Sequence, residues 1–386
     1  MRGGNMSAAK SLMESRVDQV GSLLRPQTLK DAFMRFARKE STRDDLRGAQ
    51  EAAIREVVAK QEAHKLPVVT DGEFCRLNWQ VSFSEIDGWD MWAGSWRHFI
   101  ANPDNMVPGE VPLHKGEDAV LAFRTPVTAH LKLINSLPLE ECRFLRSVTK
   151  RPIKVALMGP DRVCQMSDIS ASNGLYKDSD SLLADIVAIQ KQMVTDLVEA
   201  GCDYVQIDEP SYTGYVDPPT LARLAARGEE PLANLRRAIE ADNRVIAGLK
   251  GRAVFGLHIC RGNRASMWHR EGTYDAIAET LFGSLTYDRL LLEYDTDRAG
   301  GFEPLRFVPK GVIAVLGLIT TKTGQIEAAD ELLRRIEDAS RYLPVDQLAL
   351  SPQCGFASGI GGNRLAEDDQ WRKMDLMNEV AARIWG

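Results

Sequence analysis

At 386 residues with 44% hydrophobic side chains, the chain is long enough to bury a large core without disulfide staples. A net charge of −6 argues against the broad basic face that nucleic acid binding needs, and no run of about 18 apolar residues offers a membrane span. The opening MRGGNMSAAK lacks the apolar core of a secretory signal, and Cys75, Cys142, Cys164, Cys202, Cys260 and Cys354 are widely scattered, which suggests free thiols or metal ligands in the cytoplasm.

Short apolar runs rich in β-branched residues alternate with longer amphipathic stretches. VDQVGS at 17–22 comes first, followed by a helical period over 43–64 with Thr42 at its N-cap and Asp45 three residues on. LPVVTDGE at 66–73 is the second run. The stretch 79–150 then breaks the rhythm with Trp79, Trp89, Trp92, Trp96 and several prolines. It reads as a long insertion after strand 2 that folds over the mouth as a cap or hairpin, most of its tryptophans packing on the wall. IKVALMGP at 153–160 precedes a helix at 179–200 with Ser179 at its N-cap. YVQIDEP at 204–210 precedes a helix at 230–248, and VFGLHIC (254–260), LLLEYD (290–295) and VIAVLGLIT (312–320) follow. A helix at 325–342, LALSPQCG at 348–355 and a helix at 367–385 complete the chain. Eight nearly continuous apolar runs are what a parallel sheet buried on both faces requires. The pattern predicts an α/β fold, a single (β/α)8 TIM barrel over 1–386, with a doubly wound open sheet as the alternative.

In such barrels chemistry gathers at the C-terminal strand ends. Those ends carry Ser22, Glu73, Asp161, Asp208 with Glu209, His258 with Cys260, Glu293, Thr320 and Cys354. His258 and Cys260 are two residues apart, so on a strand they project to one side, about 6.6 Å between Cα atoms, and can meet one zinc ion. Against this, a buried Cys usually packs as a small hydrophobe. Glu73 and Asp208 suit an ammonium group or general acid–base work; salt bridges to Arg76, Arg261 or Arg264 are the plain alternative. Ser22 reads equally as a turn or cap residue, and GIGGN at 359–363 as an anion cradle or an ordinary turn.

Taken in order, VGS, TDGEFCR, the GP of LMGP, QIDEP, GLHICRGN, LLLEYD and LSPQCG resemble the catalytic half of cobalamin-independent methionine synthase, from about residue 17 to about 380. The resemblance implies a (β/α)8 barrel, catalytic zinc on His258, Cys260, Glu293 and Cys354, and a homocysteine pocket using Ser22, Glu73 and Asp208. It implies a zinc-dependent thiol S-methyltransferase that makes methionine from homocysteine, with 5-methyltetrahydrofolate or another compound as methyl donor. Zinc holds a coordinated thiol deprotonated, and two thiolates, one carboxylate and one neutral imidazole leave the shell at about −1 overall. Three departures separate this chain from the long members of the family: no second barrel, LITTKTG with Thr320 where they carry a histidine, and DRVCQM without an aromatic after GP. The donor is therefore left open. Short relatives also resemble epoxyalkane:coenzyme M transferase, and a metal-free barrel like uroporphyrinogen decarboxylase or a binding protein with structural zinc are further readings. Two acids in the pocket favour an amino-acid thiol over a sulfonated one unless Arg76 or Arg261 reaches inside. Expected partners are thus a small thiol and a methyl donor, with neither nucleic acid nor membrane; a homodimer through the insertion is compatible with the sequence but not required by it.

Overall fold

The computed structural model describes residues 10–91 and 125–386. In chain order its strands are β1 (Ile86–Trp89), β2 (Thr125–Leu133), β3 (Lys154–Met158), β4 (Ser167–Asp168), β5 (Tyr204–Asp208), β6 (Val254–Ile259), β7 (Arg289–Glu293), β8 (Ile313–Ile319) and β9 (Leu348–Pro352). The six strands β3-β5-β6-β7-β8-β9 pair in parallel in that order, and every residue in them is buried. Helices cover the outer face, so each strand is apolar on both sides, as a parallel barrel wall demands.

The first two apolar runs depart from the eight full strands expected. Each adds one parallel bridge, Val17 to Leu350 and Val69 to Ile153. Side chains complete the wall between them: Gln19 donates to the Val68 carbonyl at 2.7 Å and Thr70 to the Gly21 carbonyl at 2.8 Å. On the far side Gln206 of β5 donates to the Val20 carbonyl at 2.8 Å. Buried backbone groups need partners, and here glutamine and threonine replace the ladder.

At the opposite end from the strand C-termini, Asp18 accepts from Lys154 and from Arg289, both at 2.9 Å, and from the Tyr204 hydroxyl at 3.1 Å. Burial would raise the Asp18 carboxyl, yet the two cations hold it below its ordinary range. The cluster plugs the barrel floor and pins the first segment to β3, β5 and β7.

Helix Arg43–Ala63 starts at Thr42, whose hydroxyl accepts from the Asp45 N–H while the Asp45 carboxylate accepts from the Thr42 N–H. Helix Ser179–Glu199 is capped by Asp178 rather than Ser179: two capping side chains are adjacent, and the carboxylate one residue earlier reaches the Ser181 N–H at 2.8 Å. Within 79–150, β1 and β2 form an antiparallel pair, β2 pairs with β4, and helix Leu137–Val148 packs on β3. Trp89 is buried edge-on against Phe83 and donates to the Ser167 hydroxyl at 2.9 Å, whereas Trp79 is half-buried. Trp92 and Trp96 lie outside the described residues. Among those residues no helix is long and apolar enough to cross a membrane.

Asp18→Asn leaves two cations sharing a neutral amide in the barrel floor. It is expected to cost about 3–5 kcal/mol, read as a lower urea midpoint at unchanged slope. Because the folded carboxyl sits below its unfolded value, the wild-type contribution is present at neutral pH and is lost as pH falls through the acid range. A midpoint indistinguishable from wild type would show that the ion cluster is dispensable.

Candidate active site

Parallel strands end at one level, so residues distant in sequence meet at one mouth. Asp208 of β5 and His258 of β6 are register partners, and the Asp208 carboxylate lies 3.0 Å from the imidazole Nδ1. Gln206 Nε2 holds the same carboxylate oxygen at 2.7 Å. The other ring nitrogen, Nε2, faces the Gln353 carbonyl at 3.4 Å, one residue before Cys354.

His258, Cys260 and Cys354 are all buried, and one ligand atom from each lies within 4.8 Å of the others. Zinc bonds of roughly 2.0–2.3 Å in a tetrahedron place donors about 3.3–3.8 Å apart, so a small adjustment of three side chains suffices. The donor chemistry also fits, since a carboxylate on Nδ1 is the usual partner of a histidine that binds metal through Nε2. In the metal-free protein, burial lowers the imidazole, but Asp208 and Cys260 together raise it to about 9. The Cys354 hydrogen bond brings Cys260 down to about 7 against the effect of burial, and Cys354 is pushed up in return.

Glu293, expected as a fourth ligand, stands outside this cluster. Its carboxylate accepts from the Arg261 backbone N–H at 2.6 Å and from Arg298. Burial would raise it, but Lys322, Arg298 and Arg261 hold it at about 2. Asp71, Cys75 and Glu141 form a second close group, but both Glu141 oxygens are taken by Arg76.

Above the three donors opens a cavity of about 1160 Å3, counting solvent at its mouth. Ser22, Glu73, Asp208 and Trp79 line one part of it. Ser22 rests against Gly355, where a Cβ would fall 1.9 Å from the Ser22 hydroxyl, so a side chain after Cys354 would force Ser22 to turn away. Glu73 holds a left-handed backbone at φ 59°, uncommon for a non-glycine residue and a cost of order 1 kcal/mol or more. Asp71 accepts from the Glu73 N–H at 2.9 Å, and Arg25 clamps the Glu73 and Arg76 carbonyls at 2.7 and 2.8 Å. The strained turn aims the carboxylate at the cavity. Its Oε1 is 3.7 Å from Arg76, and its Oε2 is buried with no hydrogen-bond partner. Burial first, then the Asp208 charge, raise Glu73 to about 8 even though Arg76 opposes them.

Neither arginine that might have favoured a sulfonated thiol reaches inside. Arg76 holds Glu141 and the Ala156 carbonyl and turns its remaining Nη1 to Glu73, and Arg261 is taken by the Gly272 carbonyl and the Tyr274 ring. Residues 359–363 make a turn, Gly362 N–H to Gly359 O at 3.0 Å, that walls the cavity. Asp161 and Thr320 do not line it: Asp161 accepts from Gln165 and Tyr215, and the Thr320 N–H donates to Glu327. Residues not singled out from sequence do line it, chiefly Arg162, Arg270 and Asn263; the strand-end position of GPDR was the available signal for the first.

A family profile described as the catalytic domain of cobalamin-independent synthase matches residues 121–382. The Bacillus subtilis proteins YxjG and YxjH are 36% and 34% identical over 96% of this chain and 94% of their own length. The methionine synthase of Pyrococcus abyssi is 30% identical over 57% of this chain and 55% of its own. Among solved structures, a Listeria monocytogenes chain determined as a candidate vitamin-B12 independent methionine synthase superposes with TM-score 0.74 at 28% identity, covering 96% of this chain and 98% of the other.

The three-donor cluster predicts about one divalent ion per chain after exhaustive dialysis, and substoichiometric metal in Cys354→Ala with a largely unchanged melting temperature. Asp208→Asn is expected to weaken metal binding about 10–100-fold, measured by chelator competition. Wild-type protein that dialyses to a metal content far below one would refute the site.

Proposed function

The chain belongs to the family of the cobalamin-independent synthase catalytic domain, and we propose that it is a cytoplasmic zinc-dependent thiol S-methyltransferase that converts homocysteine to methionine. We take it as one catalytic barrel over 1–386, with 79–150 as an insertion within it. The observation that carries the reading is the partnerless Glu73 carboxylate oxygen, buried in the same cavity as two thiols and an imidazole. A buried carboxyl whose second oxygen is left unmet favours a further cationic donor, and an amino-acid thiol brings an ammonium and a sulfur together.

His258, Cys260 and Cys354 would hold the zinc, which supplies a thiol kept deprotonated at neutral pH. Glu293 would be the fourth donor, and its ties to Arg298 and the Arg261 N–H would compete with the metal for its carboxylate. Asp208 fixes the imidazole orientation and, with Glu73, takes the substrate ammonium. Ser22 and neighbouring N–H groups take its carboxylate. The substrate sulfur, its proton lost to solvent, attacks the methyl carbon in line. The S–C bond forms as the bond from carbon to the donor breaks, and that electron pair leaves with the donor. Glu73, raised to about 8, is the residue in the cavity able to take or give a proton near neutral pH.

Isothermal titration should show homocysteine binding more tightly than coenzyme M, and methyl transfer should appear with at least one of methyl-folate, a methylcobalamin protein or another activated methyl compound. Coenzyme M binding as well as homocysteine would overturn the acceptor assignment.

Methionine, which has an ammonium but no thiol proton, isolates the role of Glu73. Free Glu73 is mostly protonated at pH 7, and the ammonium draws its pKa down. Affinity should therefore rise with pH until about 8, with about one proton released per methionine bound. Titration in two buffers of different ionisation enthalpy measures this, and Glu73→Gln should abolish the release. Equal release by wild type and Glu73→Gln would remove the carboxylate from the ammonium site.

A further inference from the structure

Three arginines, Arg162, Arg264 and Arg270, line the cavity alongside its acids, and the first and last of them carry the argument. Arg162 follows Gly159-Pro160-Asp161 in the helix Pro160–Met166 after β3, and Arg270 lies in the irregular segment ten residues past Cys260. Arg270 is only 9% exposed; it packs over Gly214 and donates one Nη to the Pro210 carbonyl. The Nε of Arg162 is buried and has no hydrogen-bond partner. Asp217 is the acid that acts most strongly on Arg270 and Glu209 the one that acts most strongly on Arg162, but Glu209 accepts from the Arg162 backbone N–H at 3.1 Å and from the Ser211 hydroxyl. Burial, with Asp161 beside it, pushes Glu209 up to about 8, so near pH 7 it offers the guanidiniums little negative charge. Burial, and then the charge of Arg270, bring Arg162 down to about 10. Two like charges lining one cavity, one of them with a buried unmet donor, are a standing cost, which an oxyanion drawn in beside them reduces through charge-assisted bonds.

We propose that Arg162 and Arg270 form an oxyanion-binding subsite that receives a carboxylate or phosphate carried by the methyl-donating second substrate. The proposal rests on reading the cavity as a two-substrate transferase site. It assigns the anion to the donor because the acceptor is already served by Glu73, Asp208 and Ser22. The pocket is thus bipolar: acids beside the metal donors for the thiol amino acid, guanidiniums for an anionic methyl donor. A neutral or cationic methyl compound gains nothing from the arginine pair.

The test uses the zinc-loaded full chain and two probes, inorganic phosphate and L-homocysteine, titrated calorimetrically. Phosphate should bind wild type and lose at least about tenfold in affinity in Arg162→Gln and in Arg270→Gln, while Arg162→Lys, which keeps the charge, retains most of it. Homocysteine affinity should stay within about twofold in all three, and saturating homocysteine should leave phosphate binding intact. Far-ultraviolet circular dichroism and zinc content verify that each variant is folded. Phosphate binding that no substitution weakens overturns the subsite; homocysteine binding that falls in step with phosphate overturns the assignment to the donor, because the arginines then hold the acceptor's own carboxylate. Failure of wild type to bind homocysteine would strike the proposed methyltransferase reading, whereas the phosphate arm still reports on the arginines alone.

Discussion

One hydrogen bond between neighbouring strand ends, Asp208 to His258, joins the parts of this site. In-register pairing of β5 and β6 puts the carboxylate against Nδ1 and leaves Nε2 beside the Gln353 carbonyl, next to Cys354, with the imidazole in the cluster it forms with Cys260 and Cys354. Gln206, which orients the same carboxylate, also donates to the Val20 carbonyl and so helps close the barrel at its rudimentary first segment. Closure and site geometry therefore depend on one another: the first segment carries Ser22 into the cavity, and the glutamine that docks it also holds Asp208.

The cost of the site is visible in its strain and in its charges. Glu73 keeps an unfavourable backbone because Asp71 and Arg25 over-determine the turn, and it keeps a buried carboxyl oxygen without a partner. Such features persist where surrounding structure holds them, and they mark places built for a ligand. The buried floor cluster of Asp18, Lys154 and Arg289 has the opposite character, since every charge there is met by another protein group. The contrast separates a structural ion network from an unfinished one. Acids and guanidiniums left partly unmet in one cavity describe a receptor for molecules that carry the complementary charges.

Much of this was legible in the residue order, for identifiable reasons. His258 and Cys260 alternate on a strand that ends at the mouth, Cys354 ends another such run, and parallel strands must finish at one level, so their meeting follows from pattern alone. Glu293 also ends a strand, but its carboxylate turns to Arg298 and the Arg261 N–H; a pattern does not tell which of several cations a buried acid will face. The runs at 17–22 and 66–73 read as strands because they are apolar, yet Gln19, Thr70 and Gln206 satisfy their backbone in place of a ladder. Arg162 and Arg270 escaped notice because the first hides in a one-turn helix start and the second in an irregular segment, where neither period 2 nor period 3.6 marks a facing direction.

The most direct test of the central claim is zinc-edge X-ray absorption on the zinc-loaded chain before and after homocysteine is added. A centre built on His258, Cys260 and Cys354 and open to a substrate thiol predicts a shell with two sulfurs that gains a third. A shell that stays at two sulfurs with saturating homocysteine would contradict it, leaving a closed structural ion where a reactive one has been placed.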